Sequence, residues 1–549
     1  MARLRRTAVF RLLLTVALPA AWFGADTAAL AQAAAAVPAK AVRAGASAGF
    51  DRYCAAAASA TLPQTKITRA ELVTATGETV VPGTENNSRQ TAPVSVHRSF
   101  CRVAGVVAPA ITFEVWMPRD WNGRFEGFGL GAFLGKLPFG DMAQSLDKGY
   151  AVGGTNAGHF SESYDGTWAM ADGKLNEQLV GDWTGRGIHE MTVKSKAILR
   201  DVYGRAADHS YFSGCSSGGF QALTEAQRYP DDYDGILAGA PASYLTHLQT
   251  AQLSFGLATE LDPATNLQKP IDKLPALHQA VLDACDQLDG VKDGLIENPA
   301  ACHFDPAAIA CKGADAATCL TPPQVAAVRK LYGDVKRRDG SKVFPGFPRG
   351  SELQWSLMAG GYLGATGQLE FAQSFYRYFV FQDPKWNYKT MDLDRDLATA
   401  DQRVGRLNAN DPDLGPFRKH GGKLIQYHGW ADWGITPYSS IDYFNGVTAK
   451  MDGSTSPKAR RDIQSFYRLF MLPGMSHCRG GAGPDVFDGL GALVSWVEQG
   501  KAPASLKVTK LADGKPVRTR TLCVYPEVAR YKGRGSTDEA ENFECRLPM

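Results

Sequence analysis

Neither sign of charge dominates this sequence: 59 Lys and Arg stand against 56 Asp and Glu in 549 residues, a formal net charge of +3. No basic face offers itself to nucleic acid and no acidic tail to a charged partner, so attention turns to a small or neutral substrate. Long hydrophobic runs are wanting too. Past the N-terminus no stretch approaches the ~20 apolar residues that cross a bilayer, and no solenoid period recurs.

The first residues hold an arginine-rich start, a short apolar stretch centred on Leu12 to Leu18, and small residues at Ala29 and Ala31. That pattern predicts a secretory signal peptide over residues 1–31, with Ala33 as the other cleavage point. A membrane anchor would need a longer apolar run. Residues 32–48 are alanine-rich and are expected to form a flexible leader. A secreted or periplasmic chain meets an oxidising compartment, where its ten cysteines, an even number, are expected to pair. Cys285 with Cys302, Cys311 with Cys319 and Cys523 with Cys545 close short loops, and Cys54 can reach Cys101. Elimination leaves Cys215 and Cys478, although spacing alone does not fix connectivity.

The chain is longer than one compact core usually absorbs, which predicts a large domain carrying an insertion. β-prone runs at Ile111–Met117, Tyr150–Gly154, Ser210–Ser213, Gly235–Ala238, Lys423–Tyr427 and Ser465–Leu472 alternate with helix-like segments such as Ala222–Arg228 and Leu490–Glu498. The rhythm is that of an α/β sheet with helices on both faces. It breaks between Leu245 and about Asp396. Residues 49–244 and 397–549 therefore read as two parts of one core, with 245–396 inserted above the sheet.

Within "YFSGCSSGGF", residues Gly214-Cys215-Ser216-Ser217-Gly218 fit G-x-S-x-G, after a strand-prone run and before a helix-prone one that stops at Tyr229-Pro230. A chain with 57 glycines can produce such a match by chance, so the motif needs partners. A serine nucleophile requires a histidine base and an orienting carboxylate, here in the order Ser, acid, His. Asp432 in "YHGWADWGITPYSS" and His477 in "FMLPGMSHCRGGAGP" both follow predicted strand ends, where open α/β sheets build their sites. His428 and His159 compete for the base; Asp485 and Asp488 compete for the acid, against the expected order. Cys215 precedes Ser216 and Cys478 follows His477. A disulfide there, with Cα atoms about 4.4–6.8 Å apart, would staple nucleophile to base.

On these motifs the chain resembles, from about Cys54 to Cys545, the tannase and feruloyl esterase family of α/β-hydrolases, which includes mono(hydroxyethyl) terephthalate hydrolase. The family's G-C-S-x-G-G is Gly214–Gly219, its acid motif resembles "HGWADWGITP", and its Gly-Met-x-His-Cys-x-Gly-Gly is Gly474–Gly481. The resemblance implies an α/β-hydrolase core with a large lid, Ser216 as nucleophile, Asp432 as acid, His477 as base and a Cys215–Cys478 disulfide. It also implies a structural calcium ion in the lid loop "CDQLDGVKDGLIE". Asp286, Asp289 and Asp293 would supply carboxylates there, and Val291 and Leu295 carbonyls, the hard oxygen donors calcium prefers, without EF-hand spacing. For an oxyanion hole, Ser217 N–H is one donor and Gly131 the candidate for the second. Gly131 lies in Gly129-Leu130-Gly131-Ala132, where Leu130 and Ala132 depart from the family's Gly-Asn-Gly-Gly.

The expected activity is that of a secreted serine esterase cleaving small-molecule esters of aromatic acids, such as hydroxycinnamates or gallates, through an acyl-enzyme. A terephthalate monoesterase is the alternative. Trp355, Phe371 and Phe375 are expected at the substrate, though an aromatic stripe at such spacing is also what a core shows. A serine peptidase would use the same three residues; a non-catalytic binding module would have them missing or displaced.

Overall fold

The computed structural model describes residues 47–82, 93–259, 264–265, 267, 272–357 and 367–548. The signal peptide read at 1–31 and all but the end of the 32–48 leader lie outside the described residues; a helix begins at Ser47.

Nine strands make the central sheet: β1 (Thr65–Val73), β2 (Phe100–Val107), β3 (Ile111–Pro118), β4 (Arg124–Phe128), β5 (Ala151–Thr155), β6 (His209–Cys215), β7 (Gly235–Gly239), β8 (Lys423–Gly429) and β9 (Tyr467–Leu472). Their spatial order is β1-β2-β3-β5-β4-β6-β7-β8-β9. The first three pairings are antiparallel. From β5 onward the sheet is parallel. Parallel strands need both faces covered, and short, almost wholly buried strands such as Ala-Val-Gly-Gly-Thr of β5 meet that demand.

Side-chain alternation divides the core. Phe212 of β6 joins one apolar cluster with Met191, Phe220 and Phe444 from helices Gly187–Tyr203, Ser217–Arg228 and Tyr438–Asp452. Tyr211 joins another with Met142 and Leu493 from helices Phe139–Asp147 and Gly489–Gln499. The predicted strands all appear, with ends moved by a residue or two. Because the strands run parallel, the carboxyl ends of β4, β6, β8 and β9 share one edge, and the loops beyond them carry Gly129–Ala132, Ser216, Asp432 and His477.

Between β7 and β8 the chain leaves the sheet for helices that include Leu245–Thr259, Leu274–Cys285, Pro322–Tyr332, Gly367–Ser374 and Leu393–Val404. Here Leu253, Phe371, Phe375 and Phe379 pack with Leu130, Phe133 and Trp183 of the first part. All five disulfides pair as expected, four from spacing and Cys215–Cys478 from elimination: Cys54–Cys101, Cys215–Cys478, Cys285–Cys302, Cys311–Cys319 and Cys523–Cys545.

Candidate active site

Ser216 stands between the end of β6 and the helix Ser217–Arg228, with φ 64° and ψ −121°. A serine in that region is strained by about 1–3 kcal/mol, a cost that surrounding contacts must offset. Its N–H donates to Gly239 O at 3.0 Å, and its carbonyl accepts from Phe220 N at 2.9 Å and Ala242 N at 3.2 Å. Glycines make the close approach possible. A Cβ on Gly129 would lie 2.6 Å from Gly218 Cα, so the turn after β4 touches the start of the helix only because neither residue has a side chain.

Ser216 Oγ lies 2.9 Å from His477 Nε2, and His477 Nδ1 lies 2.8 Å from Asp432 Oδ2. The other oxygen of Asp432 accepts from Gly434 N at 2.7 Å and Ile435 N at 2.9 Å. Burial alone would raise the Asp432 carboxyl; the charge of His477 and the hydrogen bonds of both His428 and His477 instead hold it well below the ordinary range. Burial likewise opposes protonation of His477, but Asp432 outweighs it and holds the imidazole above its usual value. The Cys215–Cys478 bridge, Cα atoms 6.0 Å apart, joins the residue before Ser216 to the residue after His477. Such a hydroxyl–imidazole–carboxylate series can take a proton from the hydroxyl as its oxygen attacks a carbonyl carbon.

Ser217 N–H and Gly131 N–H meet no protein acceptor among the described residues. The Ser217 donor heads a 12-residue helix whose dipole favours negative charge there. Leu130 N–H is committed elsewhere: it donates to Gln221 Oε1 at 2.9 Å, while Gln221 Nε2 donates to Trp183 O at 2.9 Å. Gln221 thus fixes the turn, a role no local signal in the sequence marks. Trp433, beside Asp432, lies edge-on to the His477 ring at 5.8 Å.

The competing residues take other places. His159 is buried, stacked 3.7 Å from Trp168, and bonds Phe133 O; burial pushes it down to about 4. Asp485 accepts from Gly480 N, bracing the loop after His477, and Asp488 caps the helix Gly489–Gln499. His428 contacts Asp432, not Ser216. The aromatic residues require a correction: Trp355, Phe371 and Phe375 are 2%, 4% and 0% exposed. Trp355 packs on Tyr332 and Phe347, Phe371 on Phe133, and Phe375 on Tyr376 and Phe379. Their rings are spent on interior packing, the alternative that helical spacing carried from the outset.

The acidic loop lies in the segment between β7 and β8 and meets the C-terminal strands. Asp286 accepts from Asp293 N and Gly294 N, Asp289 from Val291 N, and Asp293 pairs with Arg520. Val291 packs with Cys523, Ala529 and Phe543, and a Cβ at Gly474 would lie 2.6 Å from Leu295 Cδ2. Burial, with the charges of Asp293 and Asp286, pushes Asp289 up to about 7, and burial pushes nearby Glu297 up to about 8. Asp293 already has Arg520 as its cation, whereas the raised Asp289 and Glu297 are hard oxygen donors of the kind that suits a divalent cation. The three carboxylates are not gathered within 4.8 Å; the described group that is, Cys311, Asp315 and Cys319, has both sulfurs in a disulfide.

The description of the family whose profile matches residues 94–546 is tannase and feruloyl esterase. The chain is 34% identical to a probable feruloyl esterase B-2 of Aspergillus flavus, covering 76% of this chain and 81% of that one. It is 33% identical to the mono(2-hydroxyethyl) terephthalate hydrolase of Piscinibacter sakaiensis, covering 83% and 86%. The crystal structure of feruloyl esterase B from Aspergillus oryzae superposes with a TM-score of 0.81 at 30% identity, over 90% of this chain and all of that one. The chain belongs to the tannase and feruloyl esterase family, carboxylic ester hydrolases with an α/β-hydrolase fold.

Proposed function

We propose that this enzyme is an exported esterase that hydrolyses esters of aromatic acids through an acyl-enzyme on Ser216. The observation that carries the reading is the continuous path from Ser216 Oγ through His477 to Asp432. Neutral His477 accepts the serine proton as Oγ attacks the ester carbonyl. Asp432 holds Nδ1–H, and so the tautomer, and stabilises the imidazolium. Ser217 and Gly131 N–H groups receive the oxyanion. The imidazolium returns its proton to the departing alkoxide oxygen; a water activated by His477 then releases the acid.

Five disulfides support export. No helix of the described residues is long and apolar enough to cross a membrane. Calcium, when bound, would act as a structural tie, held by Asp286, Asp289, Asp293 and the carbonyls of Val291 and Leu295. The named relatives supply the substrate class: hydroxycinnamate esters first, with terephthalate monoesters as the second reading. Relative kcat/KM for methyl ferulate, methyl gallate, a terephthalate monoester and a short aliphatic ester tests it, with an amide of the best acyl group to probe peptidase action. Preference for an aromatic acyl group is expected; equal or better turnover of the aliphatic ester or the amide would overturn the assignment.

A further inference from the structure

We infer that His428 is a positioning residue that fixes the Asp432 carboxylate, an inference that rests on the proposed roles of Ser216, His477 and Asp432. The ring is fully buried near the end of β8, and both nitrogens are engaged. Nε2 lies 3.1 Å from Asp432 Oδ2 and 3.0 Å from Ile435 O. Both are acceptors, so Nε2 carries the proton and donates. Nδ1, 2.7 Å from Ser440 Oγ, is then the acceptor of the serine hydroxyl. Ser440 Oγ accepts in turn from Gln426 Nε2 at 2.7 Å, and Gln426 Oε1 accepts from the Tyr467 hydroxyl at 2.6 Å. Tyr467, Gln426, Ser440 and His428 donate in one direction, and the series ends on the carboxylate.

Asp432 Oδ2 therefore serves two imidazoles, one on each side. His477 becomes charged and is neutralised again in both acylation and deacylation, so a carboxylate held at Oδ2 by that ring alone would shift with it. His428 supplies the contact that stays constant. It also bonds the carbonyl of Ile435, whose N–H is one of the two donors to Oδ1, and so fixes the loop around the carboxylate. The buried ring makes no contact with Ser216, so its effect belongs in kcat rather than KM.

The test compares kcat and KM of the disulfide-intact mature enzyme with His428→Phe, His428→Gln and Ser440→Ala, and separately measures labelling of wild-type Ser216 by a fluorophosphonate. Phe keeps ring volume without a donor and is expected to lower kcat by about 10- to 100-fold, with KM within about twofold. Gln, whose amide N–H reaches toward Asp432, is expected to restore much of that loss. Ser440→Ala frees the far side of the ring and should cause a smaller fall. Wild-type kcat in the Phe variant overturns the inference, as do equal losses with Phe and Gln, which would make the role one of packing. Should the Phe variant fail to fold, unchanged kcat in Ser440→Ala overturns it instead. Absence of label on Ser216 would sink the underlying assignment, a result the variants' kinetics cannot mimic.

Discussion

At the scale of single residues, the proposed role of His477 as the base ties the pH profile to its charge. The ring accepts the Ser216 proton only when neutral, and Asp432, 2.8 Å away, holds its pKa above the ordinary 6.5. Activity is therefore lost as pH falls through a value above 6.5 and is retained at higher pH. The acid limb of kcat/KM for a neutral ester reports that value; a limb near the pKa of a free carboxylate would contradict the coupling. Asp432→Asn should move the limb down and lower kcat by about 10⁴-fold, because an amide does not select the productive tautomer. The juxtaposition of Ser216, Asp432 and His477 was legible because a G-x-S-x-G turn, an aspartate after a strand and a cysteine-flanked histidine lie within short stretches. Gln221 was not, since its partners Leu130 and Trp183 are brought close only by the fold; His428 lies four residues from Asp432, but nothing local says that it turns to the carboxylate rather than to Ser216. The rings of Trp355, Phe371 and Phe375 misled for a related reason: helical spacing does not say whether a face meets core or substrate.

At the scale of elements, the site depends on four loops at one sheet edge, and a covalent link joins two of them. Cys215 and Cys478 close a sequence separation of 263 residues across the Ser216–His477 contact. Replacing both with alanine should damage catalysis before it damages the fold, because four other bridges and both apolar layers remain. Misplacement of about 1 Å can cost on the order of 10²-fold in rate. In the entropic account, the bridge instead acts through the unfolded chain, contributing roughly 2–5 kcal/mol of stability. Measuring kcat and the unfolding midpoint on the same double variant separates these. A fallen midpoint with unchanged kcat in folded protein would refute the positioning role. Strand positions were readable from apolar runs; strand order was not, because the exchange of β4 and β5 is decided by crossover packing rather than by local sequence.

At the scale of the whole molecule, the acidic loop is a junction. It begins at the Cys285–Cys302 bridge, packs Val291 on the C-terminal strands and brings Leu295 against Gly474, three residues before His477. If calcium occupies this junction, chelation should lower the unfolding midpoint and added calcium should restore it. Saturation at about 100 times Kd contributes about 2.7 kcal/mol, enough for a visible shift. Lost turnover in folded, chelated protein with an unmoved midpoint would contradict a structural role. The insertion itself was legible as a break in the α/β rhythm. Its tie to the C-terminal strands was not, since the residues involved are more than 200 positions apart.

The central claim is that Ser216 is the nucleophile of an ester hydrolase, and the most direct measurement is kcat/KM of a folded Ser216→Ala protein on the best substrate of the wild type. A fall of several orders of magnitude is expected, with an unfolding midpoint close to that of the wild type. Near-normal turnover in that variant would contradict it.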